Sequence, residues 1–127
     1  MQRLLARSGL PVLSIRGREV LPIVQGGMGV GISAHRLAGS VARQGGVGTL
    51  SSVDLRRHHP DLMARTRPFG AGPGAKEAID AANLEALDRE VRLAREMADG
   101  NGLVAVNVMR AVSEYAHSVQ QALRSGA

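Results

Sequence analysis

The chain has 127 residues, of which 44% are apolar and 21% are charged, so its length and composition fit one modest domain with a buried core. It contains no cysteine, which excludes a disulfide scaffold, thiol catalysis and a cysteine zinc site. The formal net charge of +5 comes almost wholly from arginine, since Lys76 is the sole lysine. Such a charge suits an acidic or phosphorylated ligand without requiring one.

The beginning of the chain carries no strong targeting signal. Its longest apolar runs, residues 4–6 and 21–24, are far shorter than the ~20 residues that span a bilayer. An arginine-rich organellar transit peptide is the alternative, but Pro11 and Pro22 interrupt any amphipathic helix there. The sequence therefore predicts a cytoplasmic protein without a membrane partner.

A strand, a glycine turn, a helix and a second strand are predicted between residues 21 and 52. Residues 21–25 form a short apolar run before glycines, which indicates a buried parallel strand. Ser33 is the expected N-cap of a helix over residues 34–44, which Gly45 and Gly46 end. Residues 47–52 follow as the second strand, and the short connections predict a right-handed βαβ unit.

Residues 54–102 depart from this alternation and are expected to form an insertion. Their first part, residues 54–74, is rich in Arg, His, Pro and Gly without a clear period, which predicts an irregular excursion. A helix with one apolar face follows, with Asn83 as its expected cap and Gly100 at its end.

Residues 103–109 form the most strand-like run in the chain, and a last helix follows them. We expect that helix to bury Val112, Ala116, Val119 and Leu123 and to end at Gly126. The whole pattern predicts an α/β fold with about three parallel strands. Because three strands leave two open edges, we expect residues 1–127 to be the incomplete N-terminal portion of a larger fold.

The densest motif is QGGMGVGIS, residues 25–33, which lies where a strand ends and a helix begins. Ligands of parallel α/β folds bind at such ends, where glycines let backbone N–H groups approach a flat or phosphorylated molecule. One interpretation is a tight turn with no ligand. Another is the dinucleotide motif G-x-G-x-x-A, with Gly29 and Gly31 at a nicotinamide cofactor and Asp54 at its ribose. A third is a flavin site, because the polarizable thioether of Met28 suits an aromatic ring face.

Two stretches of the chain resemble the nitronate monooxygenase family, formerly called 2-nitropropane dioxygenases. They are residues 21–52, LPIVQGGMGVGISAHRLAGSVARQGGVGTLSS, and residues 103–110, LVAVNVMR, which is similar to the family's third strand. The resemblance implies the N-terminal part of a (β/α)8 TIM barrel with an insertion at residues 54–102. It also implies the cofactor FMN and the oxidation of alkyl nitronates with oxygen. FMN-dependent enoyl reductases share much of this opening.

The resemblance carries family roles to few positions. Gly26, Gly27, Met28 and Gly29 match the loop that lies against the flavin, and Asn107 matches an asparagine that contacts FMN. The family's catalytic histidine and its FMN phosphate site come from later strands, which this sequence does not contain. The resemblance therefore implies no catalytic residue here, and we expect the chain to bind FMN poorly and to be inactive toward nitronates.

The remaining polar residues do not predict a second site. The histidines, at positions 35, 58, 59 and 117, lack metal-ligand spacing and are interpreted as solvated or structural. The arginines around residues 56–67 lack interleaved aromatic residues, so no nucleic-acid partner is predicted. The alternative to an enzyme fragment is a non-catalytic assembly module that associates through its open sheet edges.

Overall fold

The computed structural model describes residues 2–127, with side chains described from Leu5 onward. The mixture of helices with small sheets confirms the predicted α/β class. The elements in chain order are α1 (Gln2–Ser8), β1 (Leu13–Ile15), β2 (Arg18–Val20), α2 (His35–Arg43), β3 (Val47–Ser51), α3 (Pro60–Thr66), α4 (Ala75–Ala98), β4 (Leu103–Asn107) and α5 (Tyr115–Ser125), with 3₁₀ turns at Leu55–His58 and Arg67–Phe69.

The parallel sheet contains β3 and β4, in a register that pairs Val47 with Leu103 and Ser51 with Asn107. Val24 adds a parallel bridge to Val47 on the other side of β3. The strand predicted over residues 21–25 is therefore only a short extended stretch. Even so, three parallel segments end at the same edge of the sheet, which brings the glycine motif beside the ends of β3 and β4.

An antiparallel hairpin, which the sequence analysis did not predict, precedes the glycine motif. Strands β1 and β2 pair Leu13 with Val20 across a turn in which Arg16 and Gly17 both have positive φ. This backbone conformation suits a tight hairpin turn. The guanidinium of Arg18 donates to the carbonyl of Gly100 at 2.8 Å, so the hairpin is attached to the turn before β4.

The core lies between the parallel sheet and helices α2 and α4. Small residues allow β3 and α2 to approach each other closely, because a Cβ built on Gly48 of β3 would collide with the backbone of Ala38 in α2. The fully buried side chains at this junction include Ala38, Ala42, Leu50, Leu87, Val91 and Ala94. Burying a side chain the size of Leu50 contributes about 1.5–3 kcal/mol, so this junction fixes the sheet against both helices.

The prediction of an irregular excursion at residues 54–74 is wrong, because this segment is largely helical. Leu55 and Leu62 are almost completely buried, so a short apolar face packs there despite the polar composition. The predicted cap at Asn83 is also wrong, since α4 begins eight residues earlier at Ala75. Asn83 lies inside α4, where its Oδ1 accepts a hydrogen bond of 3.3 Å from the Arg56 N–H.

The last helix faces the core with a different side than predicted. Helix α5 ends at Gly126 as expected, but it buries Ser118, Ala122 and Ser125 and leaves Leu123 61% exposed. The buried side of α5 contacts α4, where Asp88 Oδ1 accepts a hydrogen bond of 2.7 Å from the Ser125 hydroxyl. Within the described residues, no helix has the length and apolar character required to cross a membrane.

Candidate functional site

The glycine loop, residues 26–33, is closed by the side chain of Ser33. The Ser33 Oγ accepts a hydrogen bond of 2.8 Å from the Met28 N–H and donates one of 3.2 Å to the Gly26 carbonyl. The Ser33 N–H in turn donates to the Met28 carbonyl at 3.0 Å. Ser33 is 1% exposed, so this serine stabilises the loop from inside and is not the helix cap predicted from the sequence.

Gln25 attaches the loop to the sheet. Its side-chain amide forms two hydrogen bonds with the backbone of Thr49, as a paired strand would. The Gln25 Oε1 accepts from the Thr49 N–H at 3.0 Å, and Nε2 donates to the Thr49 carbonyl at 3.1 Å. The same Nε2 lies 2.9 Å from the Ser33 Oγ. These contacts engage both ends of the amide, so Gln25 holds the loop in place and is not free to bind a ligand.

Gly27 and Asn107 are brought into contact although 80 residues separate them. The Asn107 Nδ2 donates to the Gly27 carbonyl at 3.3 Å. A Cβ built on Gly27 would lie 2.5 Å from the Asn107 Cβ and 3.2 Å from the Leu50 carbonyl oxygen. Asn107 is exposed, so its side chain is accessible to solvent beside the loop.

The outer surface of the glycine loop is apolar. Met28 is 46% exposed, and Val30 and Ile32 are 48% and 59% exposed. Gly29 lies against β3, because a Cβ there would come within 3.2 Å of the Ser51 Oγ. An exposed thioether and two aliphatic side chains around small residues form a surface that suits a flat ring.

Asp54, the candidate ribose ligand of the dinucleotide interpretation, is held by neighbouring arginines. Its Oδ1 lies 3.0 Å from the Arg56 Nε and its Oδ2 pairs with the Arg57 Nε. The backbone of Asp54 is left-handed, with φ of +50°. A carboxylate engaged in this way is poorly placed to accept from a ribose hydroxyl.

A buried carboxylate that the sequence analysis missed connects the insertion to the glycine loop. Glu90 of α4 is fully buried, and its Oε2 accepts a hydrogen bond of 2.7 Å from the His35 N–H. That oxygen also lies 2.8 Å from the His35 Nδ1, while Oε1 lies 3.1 Å from the His59 Nε2. Glu90 therefore caps the N-terminus of α2 from another helix. A glutamate on the apolar side of α4, close to Leu87 and Val91, was the available signal.

A charged cluster joins the first turn of α4 to the start of α5. The ammonium of Lys76 pairs with both Asp80 and Glu114, and the Ser113 hydroxyl donates to Glu114. These donors lower the pKa of Glu114 to about 2. Across the described residues, no group of three His, Asp or Glu side chains is arranged to hold a metal ion, and the two-carboxylate cluster is occupied by its lysine.

No family model, curated protein or solved structure matches this chain.

Proposed function

We propose that the glycine loop and Asn107 form one wall of an FMN site in an oxidoreductase of the nitronate monooxygenase type. The observation that carries the proposal is the contact between Gly27 and Asn107. Two residues to which the family resemblance gives flavin roles lie side by side at the carboxyl ends of the two parallel segments that flank β3. Ligands of parallel α/β folds bind at this edge.

The residues present fit the ring half of FMN. A Cβ built on Gly26 would meet nothing within 4 Å, so a planar ligand can approach the backbone there, and Met28 exposes a polarizable sulfur. The Asn107 amide has both a donor and an acceptor to offer to a ring edge. FMN when bound would supply the redox chemistry, while these residues orient the ring and shield one of its faces.

The proposed reaction is the oxidation of alkyl nitronates with oxygen, in the setting of a TIM barrel to which this chain contributes the first strands. The cytoplasm is the proposed location, since the chain has no cysteine and no long apolar run. The nicotinamide alternative is less favoured, because Arg56 and Arg57 engage the carboxylate of Asp54.

Flavin titration tests the proposal. Because we expect this chain to bind FMN weakly, we would titrate the wild type, Asn107→Ala and Asn101→Ala, up to millimolar concentration, into dilute FMN and follow the quenching of flavin fluorescence. Asn101→Ala is the control, because it removes an asparagine side chain that precedes the other end of β4. Loss of a contact worth about 0.5–1.5 kcal/mol weakens FMN binding about 2- to 10-fold in Asn107→Ala only. Equal affinity in all three proteins, or NAD⁺ binding without FMN binding, would contradict the proposal.

A second candidate function is assembly through the open sheet edges. A groove of about 820 Å³ runs beside β4 and is lined in part by Val119 and Leu123 of α5. On the other side of the sheet, Ile23 and Val24 are 57% and 60% exposed. The two edges of one copy can therefore pair with the opposite edges of neighbouring copies, and the occupant we propose for the groove is a second copy of this chain.

A further inference from the structure

The segment before α3 contains four consecutive basic residues, Arg56, Arg57, His58 and His59, and the structure gives them different surroundings. Both arginines pair with Asp54, and the His59 Nε2 lies 3.1 Å from the buried Glu90. Among the described residues, His58 is the one member of the four without an acidic partner.

The side chain of His58 lies against the glycine loop. A Cβ built on Gly31 would be 3.3 Å from the His58 Nε2 and 3.7 Å from its Cε1. His58 is exposed, so the edge of its imidazole is presented to solvent beside the loop. The sequence alone did not indicate this position, because 27 residues separate the two contacting positions.

Both partners in this contact are held in place. On the histidine side, Leu55 is 1% exposed in the core and the neighbouring His59 Nε2 lies 3.1 Å from the buried Glu90. On the loop side, Ser33 closes the turn through Met28. A donor carried on fixed segments loses little conformational freedom when a ligand binds, which favours a binding role.

The charges nearby favour a negatively charged ligand. The carboxylate of Asp54 is matched by two guanidinium groups, which leaves a local charge of +1 before His58 is counted. In the part of the chain that is described, the N–H groups of Gly29 and Gly31 donate to no other group. An imidazole N–H and free backbone N–H groups together suit an oxyanion.

We propose that His58 binds an oxyanion above the glycine loop, supplied by an anionic substrate such as a nitronate or by a phosphate group. The inference rests on the proposed FMN site for its substrate class. It gives His58 a binding role next to the flavin wall, which the sequence analysis did not assign to any histidine.

Histidine NMR on the full chain tests the proposal. We would label the imidazoles with ¹³C and titrate propane-2-nitronate, inorganic phosphate, neutral 2-nitropropane and chloride, with His58→Gln and His117→Gln as variants. A saturable shift of the His58 signals with nitronate identifies a substrate anion, and one with phosphate identifies a phosphate group.

His58→Gln should weaken binding of that oxyanion about 10- to 100-fold, read from the Gly29 and Gly31 amides. His117 is exposed on α5, and His117→Gln should leave the affinity for that oxyanion unchanged.

Two results would overturn the inference: His58 signals that respond to neither oxyanion, or signals that respond equally to chloride. Failure of the FMN proposal looks different. In that case FMN leaves the amide signals of Gly27 and Asn107 unmoved, whatever the oxyanions do at His58. If FMN moves those signals and no oxyanion moves those of His58, only the present inference fails.

Discussion

Gly27 shows most clearly how single residues build the candidate site, because no side chain fits at its position. The Asn107 Cβ and the Leu50 carbonyl occupy the space that a Cβ would need. Its neighbour Gly26 has nothing within 4 Å of a built Cβ, and neither residue has positive φ. The two adjacent glycines therefore differ in packing and not in backbone conformation.

This difference predicts unequal effects of alanine. Gly27→Ala must displace Asn107 or the end of β3, which costs about 1–3 kcal/mol as overpacking does elsewhere. Gly26→Ala should change the free energy of unfolding by no more than about 0.5 kcal/mol. Urea unfolding of both variants measures the effect. Equal midpoints would show that the contact between Gly27 and Asn107 is not as close as described.

Residue patterns predicted the place of the glycine run, because an apolar run precedes it and a helix follows it. Asn107 was assigned to the candidate site by the family resemblance, since the pattern placed it inside a strand over residues 103–109. Their contact depends on the parallel register that pairs Ser51 with Asn107, and local sequence does not determine register. The roles of Ser33 and Gln25 were missed for the same reason, since their partners lie across the loop and the sheet.

Glu90 connects three elements: α4, the start of α2 and the segment before α3. It is fully buried, and its carboxylate is surrounded by the His35 N–H and two imidazoles. A buried carboxylate stabilises the fold only while its partners are present. Without them, no hydrogen bond or opposite charge offsets the free-energy cost of removing the group from water.

Removal of this carboxylate should be strongly destabilising. We expect Glu90→Ala to lower the free energy of unfolding by about 3–5 kcal/mol, a large fraction of the 5–15 kcal/mol of a typical domain. Glu77→Ala removes an exposed glutamate from the same helix and should cost no more than about 0.5 kcal/mol. Thermal and urea unfolding provide the measurement. A small effect at Glu90 would mean that the two histidines do not depend on it.

The ion pairs between α4 and α5 predict a pH dependence. The Lys76 ammonium and the Ser113 hydroxyl lower the pKa of Glu114 from its usual 4.5 to about 2. A lowered pKa in the folded state means that this group's stabilisation is complete above pH 4.5 and is lost as the pH falls toward 2. We therefore expect the contact between α4 and α5 to weaken in acid as Glu114 becomes protonated.

Glu114→Gln should lose less stability between pH 4.5 and pH 2 than the wild type does. The difference between the two proteins is the measured quantity, because the pKa values of Asp61, Glu85 and Asp88 are also lowered by arginine partners. Glu96→Gln removes an exposed carboxylate elsewhere on α4 and should follow the wild type. Parallel curves for Glu114→Gln and the wild type would contradict the assignment.

Helix α5 illustrates why an element can be predicted while its orientation is not. Apolar periodicity located the helix, but it assigned Val119 and Leu123 to the core. The structure instead turns Ser118 and Ser125 inward, and the second serine donates a hydrogen bond to Asp88 of α4. The apolar side of α5, with Val119 and Leu123, lies along the groove beside β4.

Among residues 2–127, no strand pairs with either outer edge of the parallel sheet, and its apolar edges predict self-association of the whole molecule. Leu123, which is 61% exposed, lines the groove beside β4. Leu123→Glu should shift the sedimentation profile toward a monomer. Leu10→Glu changes a leucine that is 57% exposed away from that groove and should leave association unchanged. A wild type that stays monomeric across a concentration series would contradict edge-to-edge assembly.

The most direct measurement of the central claim is a map of FMN binding by backbone-amide NMR on the full chain. We predict that FMN shifts the signals of Gly26, Gly27, Met28 and Gly29 together with the side-chain amide of Asn107, and that NAD⁺ does not. Saturable shifts confined to these residues would place the flavin at the glycine loop. Shifts by FMN elsewhere only, or shifts of Gly29, Gly31 and Asp54 by NAD⁺ alone, would contradict it.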